Sequence, residues 1–196
     1  MKYFLMPILA AFILAGCAKE NSIVGPPSQQ TQVKREWIKI NTTASLAVEN
    51  SYTASKSIDG SKGGTVELTQ VYKSNGNWAL VTAKLSIPKG AFSGTKVISY
   101  TVNTESAGID FSPSPLSFQK NLSLDLTFTG VDLAGYDASK LVFAYLDGST
   151  IVPAKYTYAN ANIANGLLVV VGAQLGHFSR YGWSTLDGSI PAPIGD

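Results

Sequence analysis

Few residues of this chain could do covalent or metal chemistry. His177 is the only histidine and Cys17 the only cysteine among 196 residues. A multi-histidine zinc site is therefore excluded. A Ser-His-Asp triad would have to use His177, and no Gly-x-Ser-x-Gly elbow occurs. Neither a phosphate loop nor a dinucleotide fingerprint is present, and no cofactor is expected. Asp132, Asp137 and Asp147 fall in predicted loops, with a spacing unlike that of an EF-hand. They read as solvated turn carboxylates, with a weak calcium site as the alternative. Trp37, Trp78, Trp183, Tyr72, Tyr156 and Tyr158 could stack on sugars in a carbohydrate-binding sandwich, although aromatic side chains mostly belong to cores.

The elements that must position these residues read as β throughout. In 120–130, Leu122, Leu124, Leu126 and Phe128 alternate with polar residues. Period two means a strand with one buried face. In 77–87 the inward set is Ala79, Val81, Ala83, Leu85 and Ile87, and in 96–104 it includes Ile98, Tyr100 and Val102. Two runs, 141–146 and 167–171, are apolar on both faces and suit central strands. Asp59-Gly60, Gly63-Gly64, Asn75-Gly76, Asp147-Gly148 and Asn165-Gly166 supply turns between the runs. Residues 137–140 could hold one helical turn. Short strands at regular spacing predict a β-sandwich.

The ends of the chain have a different character. Lys2 precedes twelve mostly apolar residues, Tyr3 to Leu14, which Pro7 interrupts. A spanning helix needs roughly 20 residues, so a secretory signal is the better reading. Leu14-Ala15-Gly16-Cys17 resembles the lipobox of bacterial lipoproteins. The resemblance implies cleavage between Gly16 and Cys17 and acylation of Cys17, which anchors the protein to a lipid bilayer without spanning it. Ala18, rather than Asp, follows the cysteine. In Gram-negative lipoproteins this favours the outer membrane. Residues 1–16 are then signal and 17–34 a lipidated tether, rich in proline and polar residues. Residues 35–185 form one domain, large enough to bury about 70 percent of its unfolded surface. Residues 186–196, with Pro191 and Pro193, read as a loose tail. Charged residues are 14 percent and the formal net charge is +2. No basic stripe points to nucleic acid.

Several phrases line up in order: Gly63-Gly64-Thr65-Val66, Leu85-Ser86-Ile87-Pro88-Lys89-Gly90-Ala91, Phe111-Ser112-Pro113-Ser114-Pro115-Leu116, Tyr145-Leu146-Asp147 and His177-Phe178-Ser179-Arg180-Tyr181. The series resembles the ZU-five-type domain of ankyrins, netrin receptors and zonula occludens proteins, and is closer still to domains of bacterial surface lipoproteins. The expected fold class is thus all-β, an immunoglobulin-like or ZU-five-like antiparallel β-sandwich. In some death-domain proteins with ZU-five domains, His-Phe-Ser marks self-cleavage. The resemblance implies Ser179 as nucleophile, His177 as base and the bond after Phe178 as target. The chemistry needs a base near the hydroxyl and a strained peptide. Residues two apart along a strand lie about 6.8 Å apart, so cleavage requires a kink at 177–179, for which Gly176 could supply adaptability. The competing expectation is structural. His177 is then a strand residue whose ring finds a hydrogen bond, Phe178 is core, and Ser179, Tyr181 and Trp183 lie on the opposite face.

These observations favour a lipid-anchored protein of the bacterial cell envelope, presenting a non-enzymatic β-sandwich for adhesion or interaction. The expected partner is an envelope protein or a glycan. Cis-autoproteolysis before Ser179 and glycan binding are the two alternatives.

Overall fold

The computed structural model describes residues 35–40 and 51–186. The expected signal segment, Cys17, the expected tether, residues 41–50 of the expected domain and residues 187–196 lie outside them. Eleven strands form in the described residues: β1 (Ser51–Asp59), β2 (Gly64–Ser74), β3 (Asn77–Ile87), β4 (Thr95–Asn103), β5 (Gly108–Ser112), β6 (Ser117–Thr129), β7 (Leu141–Asp147), β8 (Thr150–Pro153), β9 (Tyr158–Asn162), β10 (Leu167–His177) and β11 (Arg180–Thr185). They make two antiparallel sheets. One has the order β1-β4-β5-β11-β7-β8, the other β2-β3-β6-β10-β9. The fold is an all-β antiparallel sandwich. Among the described residues no helix is long and apolar enough to cross a membrane.

The sequence periods account for the core. Ala79, Val81, Ala83, Leu85 and Ile87 are buried on β3, and Leu122, Leu124, Leu126 and Phe128 on β6. From the other sheet, Ile98, Tyr100 and Val102 of β4 point back at them. The two-faced apolar runs became β7 and β10, each paired on both sides. Pro88 lacks the N–H a ladder requires, so β3 stops at Ile87. Gly90 then takes φ +79°, and Ala91 and Phe92 fold back into the core. Asp137 accepts from the Ser139 N–H at 2.9 Å and caps a single 3-10 turn, Ala138–Lys140.

β10 could not keep its apolar face inward without an interruption. Val170 pairs with Leu126 but Ala173 pairs with Leu124, so β10 carries one extra residue there. Gly172 takes φ +67° at this bulge, and its N–H donates to Asp125 Oδ1 at 2.8 Å. The bulge lets Val170 and Ala173 both face the core.

Candidate functional site

His177 ends β10 in the five-stranded sheet, and Arg180 opens β11 in the six-stranded one. Phe178 and Ser179 are therefore the corner at which the chain changes sheets. This is the kink that cleavage would require. Gly176 lies just before it, within β10, where the register against β6 shifts between Leu175 and His177.

Several polar groups at the corner have partners. The Phe178 N–H donates to the Leu116 carbonyl at 2.7 Å. The Phe178 carbonyl accepts from the Ser114 hydroxyl at 3.2 Å and from His177 Nδ1 at 3.3 Å. A carbonyl can only accept, so as a hydrogen bond this contact requires the tautomer that carries its hydrogen on Nδ1. The His177 carbonyl accepts from the Tyr181 hydroxyl at 3.0 Å. The Ser179 hydroxyl donates to the Leu146 carbonyl on β7. The His177 ring meets Tyr145 edge to face, with centroids 5.4 Å apart. No hydrogen bond joins the ring to the Ser179 hydroxyl.

Phe178 is buried, stacked on Phe111 at 5.0 Å and edge-on to Phe118 at 4.8 Å. Tyr181 and Trp183 are buried as well, which corrects the expectation that they face away from Phe178. Strand alternation would put them outside if the chain continued straight. The corner resets the alternation, because β11 views the core from the opposite sheet.

The aromatic set does not form one stacking platform. Trp183 and Tyr72 are core residues, and Trp37 is half-buried with the Arg180 guanidinium 5.5 Å from its ring centroid. Trp78, Tyr156 and Tyr158 are exposed. Trp78 sits on β3 and Tyr158 on edge strand β9, with β6 and β10 between them.

Asp132 and Asp137 are held in turns, whereas Asp147, expected in a loop, is the last residue of β7 and pairs with Thr150. Asp132 Oδ1 accepts from the Ala134 N–H at 3.0 Å. Among the described residues no group of three or more His, Cys, Asp or Glu side chains is placed to hold a metal.

A second site lies at the other end of β10, about 30 Å along the strand from the corner at roughly 3.3 Å per residue. The β2–β3 turn, the loop after β6 and the β9–β10 turn meet there around an open cleft of about 610 Å3. Asn75, Asn77, Trp78, Asp132, Ile163 and Asn165 contribute to its lining. The sequence marked Asn75-Gly76 and Asn165-Gly166 as turns and Trp78 as a stacking residue. That they converge depends on the strand register, which local patterns do not reveal. No family model matches the chain, and no curated protein or solved structure matches it either.

Proposed function

We propose that this is a lipid-anchored protein of the bacterial cell envelope that presents a non-enzymatic β-sandwich as an interaction module. The Leu-Ala-Gly-Cys phrase supports the anchor, and its Ala18 supports the outer membrane. The observation that carries the non-enzymatic reading is the commitment of the corner. The only imidazole in the chain turns Nδ1 to the Phe178 carbonyl rather than to Ser179, and the Ser179 hydroxyl donates to Leu146. A base for Ser179 would have to accept that hydroxyl's proton within about 2.6–3.2 Å. Here the motif acts as a clasp between sheets.

Detergent-phase partition of the wild type and Cys17→Ser protein, with intact mass under denaturing conditions, tests both parts. The wild type should enter the detergent phase as one uncut acylated species, and Cys17→Ser should stay aqueous. Wild-type protein in the aqueous phase would remove the anchor from the reading.

One observation favours a second reading, cis-autoproteolysis. Two donors, Ser114 Oγ and His177 Nδ1, converge on the Phe178 carbonyl oxygen. Such a pair stabilises an oxyanion. Ser179 Oγ would add to the Phe178 carbonyl carbon and the Phe178–Ser179 C–N bond would break. The amine would take up the proton, and water would open the resulting ester. A fragment ending at Phe178 in the mass spectrum would replace the first reading with this one.

A further inference from the structure

We infer that the cleft beside Trp78 is a binding site for a neutral oligosaccharide, which rests on the interaction-module reading and gives it a ligand class. Trp78 is 69 percent exposed although it belongs to a strand. The Lys73 ammonium sits 3.7 Å from its ring centroid and also donates to the Gly76 carbonyl at 3.3 Å. The indole is thus oriented from one side and still largely open to a ligand. A pyranose offers an apolar C–H face to such a ring, together with hydroxyls that need both donors and acceptors.

The polar lining supplies both. Asn165 offers an amide oxygen and an amide NH2, and Asn75 and Asn77 offer their amide oxygens and the one N–H each that is not given to Asp132 or to the Asn75 carbonyl. Asp132 adds acceptors. No cationic side chain contributes to the lining among the described residues. The nearest ammonium, that of Lys73, is engaged by the indole face and the Gly76 carbonyl, so the lining is mainly neutral amides, which match the hydroxyls of a neutral sugar. The volume falls within the 300–1,000 Å3 or so of small-molecule sites.

The cleft is also built in advance. The Asn75 amide donates to Asp132 Oδ2 at 3.0 Å, tying the β2–β3 turn to the loop after β6. The Val131 N–H donates to the Gly166 carbonyl at 3.1 Å, tying that loop to the β9–β10 turn. A Cβ on Gly130 would lie 2.6 Å from the Trp78 carbonyl, and one on Gly166 would overlap the Val131 carbonyl oxygen. The three segments therefore touch backbone to backbone. A site already ordered loses less entropy when a ligand enters.

The test is an NMR titration of the full-length mature lipoprotein in micelles of a non-glycosidic detergent. The probes are cellotetraose, mannotetraose, maltotetraose and chitotetraose. At least one should shift the Trp78 indole N–H and the amides of Asn77, Gly130 and Gly166. Trp78→Ala should weaken that binding at least tenfold with spectral dispersion retained. Asn165→Ala should weaken it severalfold, and Tyr158→Ala should leave it within about twofold. The inference is overturned if none of the four sugars shifts these signals at about 10 mM, ten times a millimolar dissociation constant. Equal binding by Trp78→Ala overturns it as well. A blank titration on anchored, uncut protein removes the glycan and leaves the module reading standing. Protein that is not anchored, or is cut at Phe178, removes that reading while the titration still reports on the cleft.

Discussion

The Tyr100 hydroxyl on β4 reaches the Ala83 carbonyl on β3 at 3.0 Å, so a hydrogen bond crosses the core from one sheet to the other. The Val66 carbonyl on β2 lies 3.2 Å from the same hydroxyl. Tyr100 is buried, and removing the hydroxyl leaves two carbonyls without it. Tyr100→Phe is expected to cost about 1–2 kcal/mol. The urea midpoint should fall at unchanged m-value. An unchanged midpoint would show that the crossing bond adds nothing net.

Burial raises the phenol pKa of Tyr72, Tyr100, Tyr136 and Tyr181 above its ordinary value. The folded state thus holds these protons more tightly than the unfolded chain, whose tyrosines titrate near 10. Their contribution is fully present below pH 10 or so and is lost as pH rises through the raised folded values. The fall should approach about 1.4 kcal/mol per pH unit for each tyrosine. Unfolding curves between pH 8 and about 11 should be flat and then steepen. In Tyr100→Phe the steep part should lose roughly a quarter to a third of its slope. A flat profile throughout would contradict the burial argument.

The corner residues should rank by packing. Phe178→Ala empties a site between Phe111 and Phe118 and should cost about 3–5 kcal/mol. Ser179→Ala leaves the Leu146 carbonyl without its donor and should cost about 1 kcal/mol. Chemical denaturation of the two variants checks the order. A Ser179→Ala protein as damaged as Phe178→Ala would mean that the clasp, not the ring, holds the corner.

Gly166 takes φ +56° with its α-carbon pressed toward Val131. Gly166→Ala should therefore destabilise by more than about 1 kcal/mol, through strain and overlap together. Amide exchange should speed up at Val131 and Gly166 before the rest of the sandwich. Exchange that is unchanged at those amides would mean the two loops are not coupled through this contact.

Much of the fold was legible because β3, β4 and β6 bury one face and expose the other, which writes period two into the chain. β1, β5, β8 and β9 left fainter traces. β1 is an edge strand that buries only Ile58 fully, while β8 and β9 span four and five residues. No periodicity develops over such lengths. The inward placement of Tyr181 and Trp183 was hidden by the change of sheets at the corner. Phe178 was legible as core, but its partners, Phe111, Phe118 and Ser114, lie some sixty residues earlier. The cleft was illegible for a similar reason: its polar groups come from three connections that only the sheet register brings together.

The placement of β11 has a consequence for assembly order. β5 and β7 are neighbours only through β11. Without it the six-stranded sheet is two fragments, β1-β4-β5 and β7-β8. A chain emerging amino terminus first can pair every other strand and still hold that gap open. Closure waits for residues 180–185, the last strand among those described. The sheet therefore cannot close before β11 is in place, and a chain stopped at His177 should remain an open substrate for proteases.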